Sequence, residues 1–143
     1  MEIPFFGGCA CGAVRYVCAQ APLAMVNCHC RDCQQAGGSG FSPTVVVPAA
    51  SFQVISGKPT FHAVEADSGH TATRAFCASC GASLFASSTG RIDLIAIRAG
   101  SLDDPSWFRP QAEIWVARAQ PWVHLDPDVP HFPGNPPRRS PPT

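Results

Sequence analysis

Seven of the eight cysteines stand in three tight groups, and this spacing is typical of metal ligands. A disulfide between residues as close as Cys9 and Cys11 would close a small, strained ring. The N-terminus has an acidic residue and no apolar run, so it predicts no export to an oxidising compartment. We therefore interpret the groups as metal ligands. They are Cys9 and Cys11, then Cys28, Cys30 and Cys33, then Cys77 and Cys80.

The first and last groups together predict a closed zinc site. Two residues separate Cys77 from Cys80, so a tight turn can aim both sulfurs at one ion. Cys9 and Cys11 would face the same side of an extended segment and supply the other two ligands. Four thiolates complete a tetrahedral, structural zinc site. The alternative is that these cysteines are unliganded core residues.

The middle group predicts a second, open zinc site. Cys28 and Cys30 share a face of an extended segment, and the turn that follows can bring Cys33 around. Three protein ligands and a free position are typical of a reactive zinc, and a thiolate-rich zinc favours soft sulfur ligands over hydroxide. His29 points to the opposite face, where we expect it to pack or hydrogen-bond. Arg31 either offsets the charge of the thiolates or faces water.

Short β segments punctuated by Gly and Pro predict a mainly β fold that positions these cysteines. One short helix is expected over Arg31–Ala36, and a turn near Asp103–Phe108 that Ser101 caps. We expect one zinc-binding domain over residues 1–125 and a Pro-rich tail over 126–143 that makes no hydrogen-bonded ladder. The predicted strands are Ala13–Cys18, Ala24–Cys28, Ser42–Val47, Phe52–Ser56, Phe61–Glu65, Thr71–Phe76, Ala82–Ala86, Ile92–Arg98 and Glu113–Ala117.

The composition argues against several classes of function. Ten basic and ten acidic residues cancel, and Lys58 is the only lysine, so nucleic-acid binding is not expected. No segment approaches the roughly 20 apolar residues that a membrane span requires. The sequence therefore predicts a cytoplasmic protein with a small-molecule partner.

The three cysteine motifs resemble those of the glutathione-dependent formaldehyde-activating enzymes and the related centromere-protein-V-like proteins. The resemblance extends from Gly8 to about Pro137. The motifs on which the resemblance rests are Gly8-Cys9-Ala10-Cys11-Gly12, Cys28-His29-Cys30-Arg31-Asp32-Cys33 and Phe76-Cys77-Ala78-Ser79-Cys80-Gly81. Supporting marks are Gly100-Ser101-Leu102-Asp103, Trp122 and Pro130-His131-Phe132.

The resemblance implies a fold of several small twisted antiparallel sheets, similar to that of methionine-R-sulfoxide reductases. It implies that Cys9, Cys11, Cys77 and Cys80 hold a structural zinc. It also implies that Cys28, Cys30 and Cys33 hold a catalytic zinc and act in joining glutathione to formaldehyde. Relatives often carry a basic residue where this chain has Gln35, which weakens the expected affinity for anionic glutathione.

Three functional hypotheses follow from these residues. The first is a zinc-dependent carbon–sulfur lyase that acts on a small thiol–aldehyde adduct, with glutathione as a candidate co-substrate. The second is a non-enzymatic binding module stabilised by zinc, and the third takes the Cys28–Cys33 group as redox-active thiols. Asp103 is expected to cap a turn rather than act as an acid–base group, and Cys18 is expected to be a buried core residue.

Overall fold

The computed structural model describes residues 1–137, which fold into ten β-strands, one α-helix and four short 3-10 turns. The helix α1 spans Arg31–Gly37. The strands are β1 (Phe5–Gly8), β2 (Arg15–Cys18), β3 (Ala24–Cys28), β4 (Ser42–Pro48), β5 (Phe52–Ser56), β6 (Thr60–Glu65), β7 (Thr71–Phe76), β8 (Ser83–Ser88), β9 (Arg91–Arg98) and β10 (Ala112–Ile114).

The strands form two sheets. A three-stranded sheet has the order β1-β2-β5, and a seven-stranded sheet has the order β10-β3-β4-β9-β8-β7-β6. All pairs are antiparallel except β10, which runs parallel to β3. The mainly β class is confirmed, although the larger sheet is mixed. The likeness to methionine-R-sulfoxide reductases stays a prediction.

The main hydrophobic core draws on both sheets. Tyr16 of β2, Val45 and Val47 of β4, Leu84 of β8 and Ile97 of β9 are fully shielded from solvent. Buried and half-buried positions alternate in β2, whereas three consecutive residues of β8 are buried. Burial of this apolar surface holds the two sheets together and fixes the loops between their strands.

β1 is a strand that the sequence pattern missed. Gly7 and Gly8 lack the side chains that normally mark a strand, and Gly within a strand usually weakens it. Here the missing Cβ atoms allow a close approach, because a Cβ on Gly7 would clash with the Tyr16 ring and with the backbone of Ser101. β1 pairs with β2 from Phe5 opposite Cys18 to Gly8 opposite Arg15.

α1 begins directly after the second cysteine group and ends on glycine. Cys30 is its N-cap, and Gly38 at its C-cap has a φ of 68°, a conformation that glycine adopts without strain. The predicted turn near Asp103 is a 3-10 helix over Pro105–Trp107, capped by Asp104 rather than by Ser101. No helix within residues 1–137 is both long and apolar enough to cross a bilayer.

Part of the Pro-rich tail pairs with the larger sheet, contrary to the expectation that it makes no ladder. The amide of Glu113 donates to the Pro130 carbonyl, and the amide of Phe132 donates back to Glu113. Phe132 also packs against the buried side chains of β3 and β10. Residues 138–143 lie outside the described residues, and the boundary at 125/126 stays a prediction.

Candidate metal centres

The first centre lies between the two sheets. Cys9 and Cys11 stand in the turn that joins β1 to β2, and Cys77 and Cys80 stand in the turn that joins β7 to β8. All four sulfurs lie within 4.8 Å of one another. The Cys9 and Cys11 sulfurs are 3.5 Å apart, and those of Cys11 and Cys77 are 3.7 Å apart. Four sulfurs at ~2.3 Å from a tetrahedral zinc would be about 3.8 Å apart, so this donor set fits zinc.

Backbone amides favour the thiolate form of two of these four cysteines, Cys9 and Cys80. The Val14 amide donates to the Cys9 sulfur at 3.2 Å, and this bond lowers the pKa of Cys9 to about 6. The Ala82 amide lowers the pKa of Cys80 in the same way. Gly81 follows the second pair with a φ of 78°, which lets the turn close over the sulfurs. Thiolates are the form of cysteine that binds metal.

The second centre forms where β3 ends and α1 begins. Cys28 is the last residue of β3, and Cys33 lies in the first turn of α1. The Cys33 amide donates to the Cys30 sulfur at 3.3 Å, which fixes the start of the helix. The three sulfurs lie within 4.8 Å of one another, and no fourth ligand atom from residues 1–137 joins them. The protein ligand set is therefore incomplete for a tetrahedral ion.

His29 faces away from the three sulfurs, as the strand alternation predicted. Its ring is fully buried and packs against Phe41, with the ring centroids 5.3 Å apart. Its Nε2 lies 3.4 Å from a carboxylate oxygen of Glu113, which is also buried. Glu113 was not singled out from the sequence, since it is a lone acidic residue in a short strand.

Two arginines that were not singled out in the sequence analysis lie beside Cys33. The Arg74 guanidinium donates to the Cys33 sulfur at 3.7 Å, and its Nε and Nη1 are buried without a hydrogen-bond partner among residues 1–137. Arg98 lines a cavity with Cys33 and donates to Thr44 Oγ1 at 3.0 Å. The Arg31 guanidinium donates to the side-chain oxygen of Gln34 at 2.6 Å, and the suggestion that it offsets the thiolate charge stays a prediction.

The local field makes Cys33 the most acidic thiol of the second centre. Hydrogen bonds with Cys28 and Cys30 lower the pKa of Cys33 to about 2, and the charges of Arg98 and Arg74 act in the same direction. The same contacts raise the pKa of Cys28 well above its usual value. The centre is thus built to carry negative charge on sulfur close to fixed positive charge.

A cavity of about 190 Å³ opens beside the second centre. Cys33 and Arg98 line it together with the hydroxyl side chains of Ser39, Ser42 and Ser83. A water needs only about 10–15 Å³ of such volume, so the cavity has room for a small organic molecule. It gives a ligand direct access to Cys33.

The sequence pattern of the glutathione-dependent formaldehyde-activating enzyme family matches residues 4–118, which contain both cysteine centres. The chain belongs to this family. The match stops before Trp122 and Pro130-His131-Phe132, so these supporting marks of the resemblance lie outside it. The chain is also similar to a structural-genomics protein from Rhodobacter sphaeroides. The two share 17% sequence identity and a TM-score of 0.58, over 88% of this chain and 98% of that one. At this identity the likeness concerns the fold.

Three other residues discussed in the sequence analysis lie outside both metal centres of this family member. Asp103 forms an exposed ion pair with Arg15 and does not cap a turn. Cys18 is fully buried, and its sulfur lies 3.3 Å from the Ser51 hydroxyl. Gln35 is exposed on α1, on the side away from Cys33.

Proposed function

We propose that this chain is a zinc-dependent carbon–sulfur lyase of the S-(hydroxymethyl)glutathione synthase type, acting on a small thiol and an aldehyde. The observation that supports it most is the three-sulfur centre, which has an incomplete ligand set and opens into a cavity flanked by arginine. Family membership supports an activity that links a thiol to formaldehyde. We place the activity in the cytoplasm, where thiols stay reduced.

Charge around Cys33 favours binding of a thiol in its anionic form. Three thiolates with one divalent zinc carry a net negative charge of about one unit. The guanidinium groups of Arg74 and Arg98 offset this charge, and neither forms a salt bridge with a carboxylate among residues 1–137, although the charge of Asp32 also acts on Arg74. The two positive charges therefore reduce the repulsion that an arriving thiolate meets beside the three sulfurs. Zinc held by Cys28, Cys30 and Cys33 would supply a soft Lewis acid that prefers sulfur.

The cavity suits the second reactant. The reaction forms one carbon–sulfur bond and moves the thiol proton to the former carbonyl oxygen, so it needs no oxidant or reductant. The hydroxyl groups of Ser42 and Ser83 and the Arg98 guanidinium are donors in the cavity that can bind that oxygen as it gains charge. Holding the two reactants side by side supplies much of the rate gain, since thiols and aldehydes also combine spontaneously.

The proposal is tested by metal content and by turnover. Purified, zinc-loaded protein is expected to hold two zinc ions per chain and to accelerate adduct formation between glutathione and formaldehyde. Adduct formation is followed by exchange NMR, and other thiols and aldehydes are run in parallel. One zinc per chain with no acceleration for any pair would contradict the proposal and favour the non-enzymatic binding module.

Replacement of Arg74 by methionine is expected to weaken glutathione binding about tenfold, because one of the two guanidinium charges beside Cys33 that favour an arriving thiolate is lost. The change keeps most of the side-chain bulk, so the melting temperature should change little. Isothermal titration of zinc-loaded protein measures the affinity. Arg91→Met is the control, because it makes the same change on another strand of the large sheet, β9, where Arg91 pairs with exposed Asp93. Equal affinities of the two variants would remove Arg74 from the binding site.

A further inference from the structure

Gln34 is a buried side chain whose hydrogen-bonding capacity is fully used. Only 4% of the residue is exposed, although it lies on a short surface helix. Its amide nitrogen donates to the carbonyls of His29 at 2.7 Å and Arg118 at 3.0 Å. Its amide oxygen accepts from Arg31 at 2.6 Å and from Gln120 at 3.1 Å. A primary amide offers two donor hydrogens and two acceptor sites, and all are occupied here.

The His29 carbonyl gives this arrangement its importance. It belongs to the residue between Cys28 and Cys30, outside both β3 and α1, so no regular element supplies it with a donor. The His29 amide is held from the other side by the Ile114 carbonyl of β10 at 3.0 Å. The backbone of His29, the residue between two cysteines of the open centre, is thus held on one side by β10 and on the other by Gln34.

Gln34 also links the backbone of His29 to a distant part of the chain. Arg118 and Gln120 follow β10, and the Arg118 guanidinium pairs with Asp67 at 3.2 Å in the turn between β6 and β7. β7 in turn carries Arg74, which contacts the Cys33 sulfur. Gln34 thus connects the segment between Cys28 and Cys30 to the chain after β10 and, through Arg118, to the β6–β7 turn.

Filling space does not account for this residue. A buried position on a helix next to β3 would be packed equally well by methionine or leucine, and such residues avoid the cost of burying an amide. The amide is explained by the two backbone carbonyls that would lack a partner without it. Neither carbonyl belongs to the closed centre or to the main hydrophobic core.

We propose that Gln34 is a positioning residue for the open centre. It holds the Cys28–Cys30 segment against α1, so that the three sulfurs stay at the spacing that one zinc ion requires. This inference rests on the proposed function, in which that centre holds zinc. Residues that orient metal ligands typically contribute about 10–100-fold to metal affinity.

The test compares Gln34→Met with Gln35→Met in zinc-loaded protein. The two changes are chemically identical and adjacent on α1, but Gln35 is exposed. We expect Gln34→Met to lose one zinc to a chelator about 10–100-fold faster than wild type. The other zinc should stay, and the melting temperature should fall by only a few degrees, because two carbonyls lose a donor. Gln35→Met should retain both ions as wild type does. Gln120→Met removes one partner of Gln34 and should give a smaller loss in the same direction.

Each other outcome contradicts the inference in a recognisable way. If Gln34→Met releases zinc at the wild-type rate, Gln34 does not position the centre. If both zinc ions leave together and the protein melts at a much lower temperature, Gln34 acts in folding generally and not in positioning the open centre. Wild-type protein that never takes up a second zinc would contradict the proposed function, and this inference with it.

Discussion

Cys77→Ala is expected to unfold the domain at temperatures at which the wild-type protein is stable. Cys77 is buried, with 2% of the residue exposed, and its sulfur belongs to the closed centre. That centre joins the β1–β2 turn of the small sheet to the β7–β8 turn of the large sheet. Structural zinc contributes about 10–16 kcal/mol in zinc-finger peptides, which is as large as the total stability of a typical domain.

Circular dichroism melting with zinc analysis of the same samples measures the effect. The matched control is Cys18→Ala, because Cys18 is also buried in the main core but belongs to neither centre. Its loss should cost about 1–2 kcal/mol, the usual effect of removing a small buried group. A Cys77→Ala protein with the wild-type melting temperature and zinc content would show that the closed centre is not structural.

The cysteine groups could be predicted from the sequence because the ligands within each group are close along the chain. The union of the first and last groups was inferred from the four ligands that a closed zinc site needs. Cys77 and Cys80 are brought together by one turn, and Cys28, Cys30 and Cys33 by the junction of a strand and a helix. Spacing along the chain is sufficient to recognise such groups. Local sequence was also sufficient to predict β3, β5 and β7, whose bounds agree with the predicted ones.

Arg74 and Arg98 could not be predicted, because only strand pairing brings them to the open centre. Arg74 is 41 residues from Cys33 along the chain. Arg98 reaches the site because β9 pairs with β4, with Arg98 opposite Thr44. A register shift of one residue would turn both side chains to the other face of the sheet. Nothing in the local sequence around either arginine fixes that register.

The prediction that the Pro-rich tail makes no hydrogen-bonded ladder was wrong for a related reason. Its proline content correctly excludes a regular strand, but three of its backbone groups still pair with β10 and Trp115, through Pro130, Phe132 and Gly134. Such pairing needs only carbonyl groups and occasional amides, and proline retains its carbonyl. Composition therefore indicates where a ladder is weak, while contact with an existing strand edge decides whether backbone bonds form.

Cys30→Ser is expected to abolish catalysis while leaving the domain folded. Cys30 is the ligand best suited to this test, because its sulfur is also the N-cap acceptor for the Cys33 amide. A serine hydroxyl is a favoured N-cap, so α1 should persist when the sulfur is removed. Two thiolates remain, which is too few for a stable zinc site, and the second zinc should be lost.

With that zinc absent, the soft centre for sulfur is gone, and adduct formation should fall to the spontaneous rate. Glutathione binding should fall with it, since Arg74 and Arg98 alone offer charge but no ligand position for a thiolate. In the wild type, added salt should weaken glutathione binding only modestly, because both arginines are partly shielded from solvent. Titration of glutathione at low and high salt, beside exchange NMR with formaldehyde, measures both effects. Wild-type turnover by a folded Cys30→Ser protein would place the chemistry elsewhere in the chain.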